Sequence, residues 1–194
     1  MDQKTAADFD KDKRLERTFG RLGKKMLSDT PLMQAWRLNF VANFFTGPLY
    51  RDLTDRFDLS RPEFVILLCL SQMPGILARD VCDATGLPKN SISRAVSSLL
   101  EKGLIERQQR DDDRRSKTLV MTEPGRDLLA AVVPIVGRRQ EAMLAILTPA
   151  ERDQFERLME RLVQGTPDWV HSLHVVGRVR QGRGEVPRND SECR

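Results

Sequence analysis

The stretch Leu87–Gly125, LPKNSISRAVSSLLEKGLIERQQRDDDRRSKTLVMTEPG, decides the fold of this 194-residue chain. It begins with apolar residues at helical spacing, which are Ile92, Val96, Leu99 and Leu100. Gly103 then ends the helix, and Leu104–Arg107 has the pattern of a short strand. After a segment too hydrophilic for a core, Thr118–Met121 predicts a return strand. The stretch therefore predicts a helix followed by a two-stranded hairpin with a charged tip.

A second short helix is predicted immediately upstream. Ile76–Thr85 carries apolar residues at helical spacing, which are Leu77, Val81 and Ala84. Gly86 follows as a stop signal. Two short helices joined by a glycine-containing turn have the pattern of a helix-turn-helix, although spacing alone fits any helical hairpin about equally well. The strand pair that follows favours a winged helix-turn-helix.

Longer helices are predicted on both sides of this region. Pro31 opens a helix whose apolar residues step by three or four positions, namely Met33, Trp36, Phe40 and Phe44. Capping boxes at Ser60–Glu63 and Thr148–Glu151 start two more helices. A helix that opens after Thr122 contains Pro134, which should kink or split it.

Composition excludes several classes of protein. The longest apolar run, Phe64–Leu70, is far shorter than the roughly 20 residues that span a bilayer. The first residues are charged where an export signal needs an apolar centre, so a cytoplasmic protein is expected. The three cysteines, Cys69, Cys82 and Cys193, form no CxxC pair, so neither a disulfide framework nor a thiolate zinc site is predicted.

Little in the sequence suggests an enzyme. The two histidines, His171 and His174, lie near the C-terminal end. We find no nucleophile–base pair, metal-spaced cluster or phosphate-binding glycine loop, so no catalytic residue, metal or cofactor is expected. The net charge of +4 is too small to indicate nucleic-acid binding by itself. The positions of the charges must therefore decide that question.

The motifs in Leu87–Gly125 resemble those of the MarR family of winged-helix regulators. Three elements carry the resemblance: Leu100-Glu-Lys-Gly103, Asp113-Arg-Arg115 and Thr122-Glu-Pro-Gly125. Each is weak alone, but their order and spacing are specific, and the resemblance extends over roughly Pro31–Gln164. The chain departs from the family at Pro88, which stands where the family usually has a capping Ser or Thr.

The resemblance implies a mainly α fold with a small β-hairpin wing, built as a winged helix-turn-helix plus a helical dimerisation domain. It also implies a homodimer that binds a pseudo-palindromic DNA operator, most simply as a repressor. The expected organisation is an N-terminal extension at 1–30 (a helix or a disordered arm), a dimerisation region at 31–59 and 123–165, a DNA-binding domain at 60–122 and a disordered tail at 166–194.

The second helix of a helix-turn-helix offers its first turns to the major groove. The polar residues there are Lys89, Asn90, Ser91, Ser93 and Arg94. Arg94 suits a bidentate contact to guanine and Asn90 a contact to adenine, whereas the alternative is a solvated helix face. In the wing, Asp113 is expected to orient an arginine, so that Arg114 or Arg115 enters the minor groove; the family assigns this role to the position of Arg115.

Members of the family commonly sense small aromatic or phenolic anions, some sense oxidants and a few bind zinc. The expected effector here is a small aromatic, phenolic or carboxylate compound that releases the DNA. Its candidate site comprises Trp36, Arg37, Phe40 and Phe44, although an aromatic stripe at helical spacing is also typical of a core. Two alternatives remain: a redox-sensing regulator of the same family, and a winged-helix protein-interaction module that does not bind DNA.

Overall fold

The predicted two-stranded hairpin is present in the structure. A computed structural model describes residues 6–109 and 117–170, with side chains from residue 13 onward. Strands β1 (Ile105–Gln109) and β2 (Lys117–Met121) pair antiparallel, from Ile105 opposite Met121 to Gln109 opposite Lys117. The described residues are otherwise mainly helical, and this confirms the predicted fold class.

The chain divides into two compact units, Met1–Met143 and Leu144–Arg194. The helices of the first unit are α1 (Ala6–Ser28), α2 (Met33–Phe57), α3 (Arg61–Gln72), α4 (Ala78–Thr85), α5 (Lys89–Glu101) and α6 (Glu123–Leu144), which ends at the boundary between the units. The second unit contains α7 (Pro149–Gln164) and α8 (Thr166–Val170).

The core of the first unit lies between α3, α5 and the hairpin. Its fully buried side chains include Leu53, Leu59, Ile66, Leu67, Val81, Leu99, Leu119 and Val132. The predicted apolar stripe of α5 belongs to this core, because Ile92, Val96 and Leu99 are at most 4% exposed. Burying such side chains contributes about 1.5–3 kcal/mol each, so the core fixes which face of α5 remains outside.

Ile76 lies outside the helix in which its spacing predicts it. It is extended and forms a β-bridge with Leu119, whose N–H donates to the Ile76 carbonyl at 2.8 Å. Helix α4 begins two residues later because the Asp80 carboxylate accepts the Leu77 N–H at 2.8 Å and caps the first turn. The bridge therefore adds a third strand of a single residue beside β2.

Helix α2 is longer than predicted. Pro31 lies in the turn before it, and the helix continues through Pro48 to Phe57. Pro48 has no N–H, so the Phe44 carbonyl lacks its intrahelical donor. Arg139 of α6 replaces that donor, since its Nη2 donates to Phe44 O and its Nε to Phe45 O, both at 2.7 Å.

The helix that contains Pro134 is continuous. Helix α6 is a single helix through Pro134, so of the predicted kink or split the split is absent. The N-terminal extension is helical over Ala6–Ser28, with a change of direction at Gly20, where φ is 71°. The prediction of a disordered tail from residue 166 is wrong for α8, which continues helical structure to Val170. The remainder of that tail lies outside the described residues.

Candidate DNA-binding surface and effector groove

Helix α5 presents a polar face to solvent. Lys89, Asn90, Ser93 and Arg94 are exposed and Ser91 is half-buried, whereas the opposite face of the helix is in the core. Arg94 has no hydrogen-bond or ion-pair partner within the described parts of the chain, 6–109 and 117–170. The structure thus brings the five predicted residues of this helix to one end and largely to one face.

The start of α5 is capped by backbone alone. Pro88 is its N-cap, no side chain accepts a hydrogen bond there, and the Pro88 carbonyl accepts from Ser91 N at 2.9 Å and Ile92 N at 3.1 Å. The first amides of a helix have no intrahelical acceptor, and they favour anionic groups. The departure from the family pattern at Pro88 therefore leaves the first amides of α5 without a side-chain acceptor.

A groove of about 420 Å³ separates α4 from the start of α5 and from β1. Its charged lining comprises three cations and one carboxylate, namely Arg79, Lys89, Arg107 and Asp83. Arg79 also forms a weak ion pair with Asp80, with 3.7 Å between Nε and Oδ1, in which the two side chains are 76% and 47% exposed. Sequence reasoning missed Arg79 and Arg107, because only the fold shows that α4 and β1 flank Lys89.

The predicted DNA-binding residues of the wing tip are Asp113, Arg114 and Arg115, which lie outside the described residues. The described strands reach the pair Gln109 and Lys117.

A buried carboxylate connects α5 to the start of α3. Glu63 is 3% exposed, and its Oε2 accepts the Ser60 N–H at 2.7 Å in the predicted capping box. Its Oε1 accepts Ser98 Oγ at 2.8 Å and Lys102 Nζ at 2.9 Å, both from the C-terminal end of α5. Lys102 also contacts the Asp58 carboxylate at 3.0 Å and donates to the Asp58 carbonyl.

These contacts determine the ionisation of both groups. Burial raises the pKa of Glu63, but hydrogen bonds from Ser60, Lys102 and Ser98 outweigh it, and the net pKa is lowered. Burial lowers the pKa of Lys102, but Glu63 and Asp58 outweigh it, and the net pKa is raised. Both groups are therefore charged at neutral pH.

An aromatic groove lies where α1 and α2 meet. Phe19 packs edge-on against Phe40 and Phe44, with ring centroids 4.8 and 5.3 Å apart. The groove has a volume of about 400 Å³, and Arg139 and Met143 of α6 also line it. The two predicted effector residues Phe40 and Phe44 are thus brought together, and α1 supplies a third ring that the sequence did not indicate.

The other two predicted effector residues lie elsewhere. Trp36 is 38% exposed and does not line this groove. Arg37 does not line it either, because its Nε donates to Leu27 O at 2.9 Å and caps the last turn of α1. The cation beside the rings is Arg139, whose two hydrogen bonds are to neutral carbonyl oxygens.

A larger groove of about 590 Å³ runs between α3, β2 and α6. Its cation is Arg126, which forms an ion pair with Glu123 at 2.5 Å and also donates to Met121 O. Because Glu123 already neutralises Arg126, this groove is less suited to an organic anion than the aromatic groove.

The described thiols give little support to the redox alternative. Cys69 is half-buried against the core, and burial raises the pKa of its thiol, whereas a redox-sensing thiol needs a lowered pKa. Cys82 is half-buried on α4, and Cys193 lies outside the described residues. In residues 6–109 and 117–170, no group of three His, Cys, Asp or Glu side chains could hold a metal, and no helix is long and apolar enough to cross a membrane.

A model of the MarR family matches residues 57–116, which include α3, α4, α5 and β1. A crystal structure of a MarR/EmrR family transcriptional regulator from Acinetobacter sp. ADP1 is 26% identical, with a TM-score of 0.63 over 70% of this chain and 95% of that one. Residues 57–116 are therefore similar to the MarR family of transcriptional regulators.

Two further solved structures share the fold of this chain. The PcaV transcriptional regulator from Streptomyces coelicolor, in complex with its natural ligand, is 24% identical, with a TM-score of 0.57 over 72% of this chain and 96% of that one. The S. aureus protein MepR, in complex with DNA, is 20% identical, with a TM-score of 0.61 over 68% of this chain and 96% of that one.

Proposed function

We propose that this chain is a homodimeric MarR-family repressor that binds a pseudo-palindromic DNA operator through α5 and its wing. The observation that carries the proposal is the exposed polar face of α5, in which Arg94 has no partner among the described residues. A winged helix used only for protein contacts has no need of unpaired cationic and amide groups on this face. The DNA complex of MepR, a protein of the same fold, supports the proposal.

Base reading is assigned to the start of α5. Arg94 donates to the O6 and N7 atoms of guanine, and Asn90 pairs with adenine. Lys89, Ser91 and Ser93 contact phosphates or neighbouring base edges. In the wing, Asp113 orients an arginine, and Arg114 or Arg115 enters the minor groove, where the negative potential favours a guanidinium group.

Arg79 and Arg107 extend this surface to the DNA backbone. Both line the groove beside Lys89, so a phosphate that approaches the start of α5 meets three cations. Phosphate contacts of this kind fix the register of a protein on DNA without reading its sequence.

Apolar surface left open in each unit supports the dimer. Leu38, Val41 and Phe44 of α2 are each more than half exposed. Helix α7 has no buried residue and exposes Phe155, Leu158 and Leu162, at the spacing of one helix face. A second copy would cover such faces, and it would also double the net charge of +4 per chain.

The proposed effector is a small aromatic carboxylate that binds the aromatic groove. Four phenylalanine rings, including that of Phe45, provide apolar contact. Arg139 provides a cation whose two hydrogen bonds leave its charge without a carboxylate among the described residues. The natural ligand bound to PcaV, a protein of the same fold, is consistent with an effector. Benzoate is expected to raise the melting temperature and weaken DNA binding, whereas uncharged benzamide has little effect. Equal effects of the two compounds would contradict the role of Arg139.

Selection of duplexes from a random 40-bp library by the purified protein tests the DNA-binding proposal. We expect enrichment of a pseudo-palindrome whose half-sites are about 10 bp apart, because the two recognition helices of a dimer lie about 34–36 Å apart. Failure to enrich any duplex at low salt would contradict the proposal and favour the protein-interaction module.

A further inference from the structure

The recognition helix is held at its C-terminal end by a group of charged and polar side chains that we name the α5 anchor: Asp58, Glu63, Ser98 and Lys102. Glu63 and Ser98 are 35 residues apart in sequence, and Glu63 and Lys102 are 39 apart. The anchor therefore joins α5 to the junction between α2 and α3. It lines one groove together with Arg94, which lies one helical turn before Ser98.

The anchor is buried on the side of Glu63, whereas the side chain of Asp58 is 87% exposed. The side chain of Glu63 is 4% exposed and that of Lys102 is 26% exposed. A buried ion pair is rarely the most stabilising choice, because desolvation offsets much of the attraction and apolar residues of similar size often do as well. Its hydrogen bonds have a defined direction and length, however, whereas an apolar contact permits sliding and rotation.

The junction contributes a second constraint on Lys102. Asp58 ends α2 in the left-handed conformation, with φ at 48°, and its N–H donates to carbonyls of the last turn of α2. Both the carbonyl and the carboxylate of Asp58 then accept from Lys102. The ammonium group is thus shared between the end of α2 and the capping carboxylate of α3, so the end of α5 is fixed to both helices.

We propose that Glu63 and Lys102 are positioning residues, which set the orientation of α5 and thereby the discrimination between operator and other DNA without contacting DNA themselves. The inference rests on the proposed DNA-binding function. Lys102 is not a phosphate contact, because two carboxylates already pair with its ammonium group. A shift of the helix by about an ångström alters the bidentate geometry on which base discrimination depends.

The affinities of wild type and Lys102→Met for the selected duplex and for a shuffled duplex of equal composition test this inference. They are measured over a range of salt concentrations, at a temperature where circular dichroism shows both proteins folded. We expect the ratio of the two affinities to fall at least tenfold. The affinity for the shuffled duplex and its salt slope should stay unchanged, and Lys102→Arg should restore most of the ratio.

Lys24→Met is the matched control, because it removes the same charge from the half-exposed pair of Lys24 and Glu16, 3.5 Å apart on α1. An unchanged ratio in Lys102→Met would overturn the inference. So would an equal loss of affinity for both duplexes together with a salt slope lower by about 0.9, which is the signature of removing one phosphate contact. If Lys102→Met does not fold, Ser98→Ala, which removes one hydrogen bond to Glu63, takes its place. The same fall in the affinity ratio is then expected, and the same two results would overturn the inference.

If wild type does not discriminate between the duplexes, the proposed function itself fails, and this inference fails with it.

Discussion

Gly125 lies where the first turn of α6 packs against the wing. A Cβ atom there would collide with the Leu104 carbonyl oxygen and approach Met121 Cγ within 2.7 Å. Because backbone cannot move away cheaply, Gly125→Ala is expected to lower the free energy of unfolding by about 1–3 kcal/mol. Gly137→Ala, in the same helix with open space around it, should instead raise it by up to about 1 kcal/mol. Urea denaturation of the two variants measures both effects, and equal signs would contradict the packing described here.

Glu63 predicts a definite dependence of stability on pH. Its pKa is lowered in the folded protein, so its ionised form contributes stability that is present above the unfolded pKa of about 4.3 and is lost as pH falls through the folded pKa. At neutral pH Glu63→Gln should lower the free energy of unfolding by about 1–3 kcal/mol. The difference between wild type and variant should shrink below about pH 4.3. Melting temperatures from pH 7 to pH 3 check this, and a difference that does not change with pH would refute it.

The same residue shows what the sequence could and could not reveal. Ser60 and Glu63 are three positions apart, so local pattern alone predicts their capping box, which is present. The bonds from Glu63 to Ser98 and Lys102 depend on how α3 packs against α5, and no local pattern encodes that packing. The position of Arg37 outside the aromatic groove could not be predicted for the same reason, because its partner, the Leu27 carbonyl, lies on a helix that the sequence only weakly indicates.

At the scale of the elements, Pro48 and Arg139 form a compensating pair. Because Pro48 has no N–H, the Phe44 carbonyl lacks a hydrogen-bond donor within α2, and Arg139 of α6 donates to it instead. Arg139→Met should lower the free energy of unfolding by about 2 kcal/mol, since hydrogen bonds to charged groups contribute about 1.5–3 kcal/mol. In a Pro48→Ala background the loss should be smaller, because the new N–H at residue 48 can satisfy Phe44.

The matched control for this cycle is Arg138→Met, which removes an exposed cation one position earlier in the same helix. It should leave stability nearly unchanged. Urea denaturation of the four proteins of the cycle gives the coupling between Pro48 and Arg139. A coupling of zero would show that Arg139 does not substitute for the missing donor.

Elements with a strong local signal are predictable from the sequence, and elements that depend on distant partners are not. Periodicity alone indicates the apolar stripe of α5 and the two strands. Helix α2 passes Pro48, and the partner that satisfies its freed carbonyl is 95 residues away. The spacing of Ile76 fits a helix, whereas its backbone pairs with Leu119 across the fold.

At the scale of the whole molecule, the exposed apolar face of α7 predicts dimerisation. Leu158→Glu with Leu162→Glu places two charges on that face, and burying them without partners is strongly unfavourable. The variant is expected to sediment as a monomer and to lose most of its operator affinity, since a monomer holds one half-site. Glu156→Gln, at an exposed position of the same helix, should remain dimeric. A dimeric double variant would exclude this face from the interface.

The central claim is that α5 reads DNA sequence, and Arg94→Ala tests it most directly. The affinities of wild type and variant are measured for the selected operator and for a shuffled duplex at one salt concentration. The variant should lose about 1–3 kcal/mol on the operator and much less on the shuffled duplex, because a bidentate contact to guanine exists only in the operator. Equal operator affinities of variant and wild type, with both proteins folded, would contradict the assignment of α5 as the recognition helix.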